Sequence, residues 1–361
     1  MTWTVDGIEY TKRKKITIDN TNIDSDLTDF PVSIVIATDG DIGLATNSDG
    51  HDIRFTASNG STLLKYERQA FTVASDELNA TIWVKTALSS SGTNEIYIYY
   101  RSNDTTDGED AENAWDSTFG AVWHLNDNGL VDSSGNEHTL TNGGAAWQTT
   151  LKLNGSGAYY FDYTSVNDYM NVSSNCGVTD ENFGISVWIY QFSPYNPTFV
   201  LVNKASEGSY YQTKVHATSE RASVRSASSS SSGARTVDSN YTDESWVYVG
   251  IRANGTGINA STVFCNGITN ANNYAAKAWA DYDNVRLGNV YDGYGVGAMK
   301  GCIAEVRIST ATRALDWSKF EYYNVLPTGD HELTFGAEEE SGGGGAVPGI
   351  MTLNTGFWGG V

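Results

Sequence analysis

Cleavage of a glycosidic bond needs two carboxyl groups held on one face of a cleft, and the nearest such pair in this chain is Glu109 and Glu112. Both lie in the polar, acidic stretch Arg101 to Ala114, with no apolar strand around them, so no catalytic pair is expected. The five histidines are scattered, and neither a His-x-x-x-His spacing nor a nucleophile elbow occurs. Cys176, Cys265 and Cys302 show no Cys-x-x-Cys spacing and read as small apolar fillers. A Cys176–Cys302 bridge would require an oxidising compartment. The turn Asp132-Ser-Ser-Gly-Asn136 has a hard oxygen donor at each end, which suits a divalent cation, although Asx-turn chemistry alone accounts for both residues. Aromatic side chains in loops supply a further chemistry, stacking on the apolar face of a pyranose beside amides or carboxylates that meet its hydroxyls. Tyr210, Tyr211, Tyr274, Trp279, Tyr291 and Tyr294 form that set, and contact with another subunit is its other reading.

Positioning such loops requires a rigid frame, and the composition supplies one. The chain has 361 residues with 37 Gly, 21 Tyr, 10 Trp and 18% charged residues, too aromatic for disorder and long enough for two cores. A formal net charge of −21 disfavours phosphate-backbone binding, which depends on clustered Lys and Arg, so no nucleic-acid partner is expected. No stretch is long and apolar enough to span a bilayer as a helix. The start Met1-Thr-Trp-Thr-Val-Asp-Gly7 lacks the basic and apolar regions of a secretory signal. The expectation is synthesis in a host cytoplasm and release by lysis, as for a virion protein.

Short β-branched and aromatic runs separated by Asn, Gly, Ser and Asp predict strands at Lys15 to Asp19, Phe30 to Ile36, Ile53 to Phe55, Ala80 to Lys85 and Glu95 to Tyr100. Others follow at Ala158 to Phe161, Tyr169 to Val172, Ile185 to Tyr190, Phe199 to Asn203, Trp246 to Ile251, Thr262 to Cys265, Asn284 to Gly288 and Ile303 to Ile308. Trp83, Trp188 and Trp246 are expected to be buried. Asp316 to Tyr323 predicts a helix capped by Asp316, with Trp317, Phe320 and Tyr323 on one face. The fold class is all-β, two antiparallel sandwiches in tandem with an extended C-terminal tail.

The phrases His51 to Phe55, Ile82 to Lys85 and Ile96 to Tyr100 resemble an uncharacterised β-sandwich family of surface and virion proteins, over about residues 10–104. Phe119 to Asn126, Val131 to Asn136, Ile185 to Tyr190, Gly301 to Ser309 and Thr312 to Leu315 resemble, in that order, a laminin-G-like or concanavalin-A-like jelly roll over about 115–325. The resemblance implies binding of surfaces or sugars. It also implies calcium, with Asp132 and Asn136 as ligands, although the carboxylate that relatives carry in the closing strand is replaced in Ile303-Ala-Glu305. The Glu-x-Asp-x-x-Glu phrase of the jelly-roll glucanases is absent.

The expected units are a first sandwich (1–104), an acidic linker (105–114), the jelly roll (115–336), a flexible linker (337–345) and an apolar tail (346–361). The serine run Ala227 to Gly233, flanked by Arg221, Arg225 and Arg235, predicts an exposed, locally basic hairpin loop. The tail ends in Ile350, Met351, Leu353, Phe357 and Trp358, each offering about 1.5 to 3 kcal/mol if buried, and reads as an anchor that docks on another subunit. The expectation is a non-enzymatic, homo-oligomeric virion surface protein, such as a capsid decoration, head fibre or tail adhesin. It would bind host-surface glycans through the second domain and other virion or filament subunits through the tail. The alternatives are a cellular extracellular adhesin and, less favoured, a glycoside hydrolase.

Overall fold

The computed structural model describes residues 2–342 except 163–167, 179–181, 193–197, 204–211, 218–220, 229–230, 239–242, 255–260, 271–283, 289, 292–295, 298 and 327–332. In the strands between 198 and 238, and at 261, 270, 290, 291, 296 and 297, it describes the backbone alone. The pairings are antiparallel, and the described helices are Gly40–Ala45, Ala111–Ala114 and Leu315–Val325.

The first sandwich packs a sheet ordered Leu333–Glu340, Lys12–Ile18, Asn94–Tyr100, Arg54–Ala57, Leu63–Leu64 against a sheet ordered Leu27–Asp39, Glu77–Leu88, Tyr66–Ala74. Ile16, Phe55, Ile96 and Ile98 from the larger sheet meet Val32, Ile34, Ile82 and Val84 from the smaller one. The smaller sheet is buried on its other face as well, which is why Ala80-Thr-Ile-Trp-Val84 is buried without alternation. Pro31 is tolerated because Leu27–Asp39 is an edge strand, and the closing helix Leu315–Val325 covers that edge. Asn324 Oδ1 accepts the Ser33 N–H at 2.7 Å.

Two of the expected boundaries differ from the structure. Residues 104–110 are a strap bound to the first sandwich, not a solvated linker. Arg54 Nη2 donates to Asp104 at 3.3 Å, Arg68 Nη2 donates to Asp107 at 2.7 Å and Glu109 at 2.8 Å, and Lys65 pairs with Asp110 at 2.7 Å. A Cβ on Gly108 would lie 2.1 Å from the Arg54 guanidinium, so the strap can lie this close only without a side chain.

The acidic run expected to begin a flexible linker is instead the end of a strand. Leu333–Glu340 pairs with Lys12–Ile18 and so completes the sheet of the first sandwich, not the jelly roll. Glu338 and Glu340 pair with Lys12, and Glu339 with Arg13 at 2.7 Å. The three acidic residues thus meet Lys12 and Arg13 of a strand that would otherwise be an open edge, while Lys14 pairs with Asp39 and Asp41 and Lys15 with Glu95.

The jelly roll has a proximal sheet ordered Ala146–Gln148, Ala158–Phe161, Gly301–Ser309, Asn182–Gln191, Trp246–Asn254, Ser261–Cys265, Ile268–Asn270, with Phe119–Trp123 also paired to Gly301–Ser309. Its distal sheet is ordered Thr141–Asn142, Tyr169–Val172, Asn284–Gly288, Thr198–Asn203, Gln212–Ala217, Arg221–Ser228, Ser231–Asp238. Ile185, Val187, Val249, Ile251, Val306 and Ile308 form the core with Met170, Val285 and Leu287. The serine run expected as a loop is largely strand, since pairing continues to Ser228↔Ser231.

The closing helix lies on the outer face of the proximal sheet, with Trp317, Phe320 and Val325 buried and Trp188 stacked on Tyr322 at 5.7 Å. Ala314, not Asp316, occupies its N-cap position. Asp316 sits in the first turn and accepts the Ser25 hydroxyl, tying the helix to the first sandwich. Trp83 and Trp188 are each 1% exposed, whereas Trp246 is only partly buried. All three cysteines are buried and free, and burial pushes each thiol up to about 12.

A chain ending at Glu340 should therefore melt like the full chain. One ending at Leu326 should lose hydrogen-exchange protection in Lys12–Ile18 and Asn94–Tyr100; unchanged protection there would show that the last strand is not needed.

Candidate functional site

Tyr210, Tyr211, Tyr274, Trp279 and Tyr294 lie outside the described residues, as do Ile350, Met351, Leu353, Phe357 and Trp358. Tyr291 is described through its backbone, which pairs with Val296 in a short hairpin. The remaining expectations can be located. Asp132 is buried, and its Oδ1 accepts the N–H groups of Val122 and Ser134 at 2.9 Å each while Oδ2 accepts that of His138 at 3.1 Å. Asn136 turns its amide inward, Nδ2 donating to Phe119 O at 2.8 Å. The two side chains thus share a turn but serve its backbone. Among the described residues no group of three or more His, Cys, Asp or Glu is placed to hold a metal ion. Glu109 is held by Arg68 while Glu112 is exposed, so this pair frames no cleft.

What the structure does bring together is a buried ionic chain where the first sandwich meets the jelly roll. It starts at a bulge. Ser186 pairs with Arg307 and Trp188 with Ala304, so Glu305 and Val306 both stand opposite Val187. The extra residue lets Ala304, Glu305 and Arg307 face outward while Ile303, Val306 and Ile308 stay in the core. Glu305 takes φ +48° to do so, a conformation that costs a non-glycine residue about 1 to 3 kcal/mol and persists only where its surroundings hold it.

Those surroundings are ionic and aromatic. Glu305 accepts from His124 Nδ1 at 3.0 Å, Asn126 Nδ2 at 3.0 Å and Arg307 Nη2 at 2.9 Å. The other imidazole nitrogen, Nε2, lies 3.2 Å from Glu67 of the first sandwich, which also accepts Trp115 Nε1 at 2.7 Å and the Ser133 hydroxyl at 2.6 Å. Arg307 continues the chain to Glu321 on the closing helix, which accepts the Tyr248 hydroxyl too. Trp83 stacks on the imidazole at 5.4 Å, and the Arg307 guanidinium lies 4.6 Å from the Trp83 ring centroid.

Burial by itself lowers the proton affinity of His124, but Glu305 and Glu67 outweigh it and raise the imidazole to about 10. Burial likewise raises Glu305, and His124 with Arg307 outweighs that, leaving it below the usual carboxylate range. The site is thus a charged, proton-holding imidazolium between two carboxylates. Its chemistry is cohesive. Both carboxylates are occupied, and the adjoining cavity, lined by Ser186, Arg252, Phe264, Arg307 and Glu321 among others, holds about 20 Å³, room for roughly one water. An open groove of about 450 Å³ at the rim of the first sandwich is lined by Asp19, Asn20 and neighbours. There Asp19 accepts from Thr21, and Asn20 donates to Ser90 O and Gly92 O.

The motifs and spacings of the sequence do not point to this network. Its signal is a His and a Glu inside apolar strands, His124 after Ala121-Val-Trp123 and Glu305 between Ala304 and Val306.

Residues 49–126 match a family model described as a domain of unknown function, DUF2341. The span includes the phrases at His51, Ile82 and Ile96 and runs on through the strap to Asn126. No curated protein matches the chain. Among solved structures it is similar to domain 4 of AbnA, a GH43 extracellular arabinanase from Geobacillus stearothermophilus, in complex with arabinotriose. The identity is 16%, with 56% of this chain and 97% of that one covered and a TM-score of 0.42. It is also similar to the binding domain of botulinum neurotoxin DC in complex with SialylT (12% identity, 58% and 52% covered, TM-score 0.45). A third is the botulinum neurotoxin type G receptor binding domain (14%, 57% and 51%, TM-score 0.41). The chain spans about half the length of those two toxin structures.

The raised imidazole sets a pH dependence with a definite sign. Its stabilisation is complete below the ordinary value of 6.5 and is withdrawn as pH rises through about 10. The stability gap between the native chain and a His124→Gln variant, read from denaturant midpoints, should shrink from pH 6 to pH 10; a constant gap would contradict the assignment. Arg307→Met, which strands two buried carboxylates, should cost about 3 to 5 kcal/mol.

Proposed function

We propose that the chain is a non-enzymatic surface-attachment protein of a virion, a capsid decoration, head fibre or tail adhesin, whose jelly roll meets host-surface glycans. The observation that carries this reading is the asymmetry of the jelly roll. The closing helix and the first sandwich cover the outer face of its proximal sheet around Trp188, Tyr248 and Arg307, which leaves the distal sheet on the side away from the base. A recognition domain needs a rigid base and a presented face, and this arrangement supplies both.

The non-catalytic part of the reading is supported by the state of the buried carboxylates. Glu67 and Glu305 flank one imidazole, a geometry that could move protons if it faced a cleft, but they are held by Trp115, Ser133, Asn126 and Arg307 beside a cavity far too small for a sugar ring. The virion reading is supported by the apolar composition of residues 346–361, which suits docking on another chain.

The test has two arms on the full chain. Replacing Tyr291 and Tyr294 by Ala should weaken glycan adhesion by about 1 to 3 kcal/mol, as loss of an aromatic platform does elsewhere, without moving the thermal midpoint. Truncation after Glu340 should leave a folded protein that no longer enters the particle. Normal incorporation of the truncated chain, or glycan arrays with no binding, would remove the corresponding half of the proposal.

A further inference from the structure

The glycan-attachment reading can be deepened, because the register of the distal sheet groups residues of one chemistry. Met170, Val285 and Leu287 point into the core and are fully buried. Strand alternation therefore puts Tyr169, Asn171, Asn284 and Arg286, each partly exposed, on the face turned away from it. Pairing carries that face across the sheet. One row runs Arg286↔Leu201↔Lys214↔Arg225, and a second, two residues along every strand, runs Asn284↔Asn203↔Gln212↔Ala227. No register shift falls between the two rows, so they occupy the same face.

With adjacent strands about 4.8 Å apart, Arg286 and Lys214 stand roughly 10 Å apart and Lys214 and Arg225 roughly 5 Å apart along the row. The Arg286 guanidinium lies 3.6 Å from the centroid of the Tyr169 ring, which holds it flat against the sheet. Three basic residues in one row are unexpected in a chain of net charge −21 with only 22 Lys and Arg. The neighbouring row is made of carboxamides, which both donate and accept and so suit hydroxyl groups. Cations suit carboxylate or sulfate.

We propose that this face of the distal sheet binds an acidic polysaccharide, the row of Arg286, Lys214 and Arg225 meeting its anionic groups and the row of Asn284, Asn203 and Gln212 its hydroxyls. Two of the arginines that flank the serine run then have a place, since Arg221, Arg225 and Ala227 belong to this face, whereas Arg235, paired with Val224, belongs to the other. The inference depends on the glycan-attachment reading but is narrower than it.

The test is binding of the full chain to immobilised polygalacturonate, dextran sulfate, neutral dextran and single-stranded DNA. The expected result is retention on polygalacturonate or dextran sulfate, with the better of the two identifying the anion as carboxylate or sulfate. Lys214→Glu with Arg225→Glu should weaken that retention at least about tenfold at an unchanged unfolding midpoint. Should the reversal disturb folding, Lys214→Gln with Arg225→Gln removes the charge alone and should still weaken it. Gln212→Ala with Asn203→Ala should weaken polysaccharide binding and leave binding of inorganic polyphosphate unaltered. Binding to neutral glycans without binding to acidic ones overturns this inference and leaves the attachment reading intact, whereas no binding to any glycan overturns both. Tighter binding to single-stranded DNA, or charge variants that bind as the native chain does, also overturns it.

Discussion

The charge on His124 is the constraint around which the two sandwiches are arranged. A buried imidazolium is costly unless carboxylates surround it, and here one comes from each sandwich, Glu67 from the first and Glu305 from the second. The third carboxylate, Glu321, comes from the closing helix and reaches the same chain through Arg307. Moving any of the three bodies strands a charge away from water. An apolar seam could bind as tightly; the ionic chain adds directional hydrogen bonds that are all made in this orientation. The aromatic packing of Trp83, Trp115, Trp188 and Tyr322 supplies the hydrophobic gain, and the ionic chain selects the orientation in which that packing occurs.

The strands were legible because their period is local. Each expected strand whose alternation or apolar run could be counted is present, usually extended by a few residues at the ends, and the hydrophobic face of the jelly roll follows from Ile185, Val187 and Ile189 alone. What could not be read depends on pairing between distant segments. Glu338-Glu-Glu340 reads as solvated tail until Lys12-Arg13-Lys14 is placed beside it, and Asp104 to Asp110 reads as linker until Arg54 and Arg68 are. Both errors have one cause: an acidic run carries no mark of whether its counter-charge is solvent or another strand.

The ionic seam was hidden for a different reason. Strict alternation along Ile303-Ala-Glu-Val-Arg-Ile308 sends Glu305 to the same side as Ile303, into the apolar core, and only the bulge reverses it. A period-two reading has no term for an inserted residue. The aromatic and apolar residues expected as glycan and anchor contacts stand in stretches of sequence with no countable alternation, so sequence offers composition there and little else.

Because the seam fixes the base, the function proposed for the opposite side would inherit its geometry from it. A jelly roll free to swing on a linker would meet a surface with its distal sheet at any angle, while one locked to the first sandwich presents that sheet in a set direction. The two sandwiches should therefore behave as one body. Differential scanning calorimetry at pH 7 tests it most directly. The account predicts a single transition whose calorimetric and van't Hoff enthalpies agree; two separable transitions, with the first sandwich melting independently of the jelly roll, would contradict it.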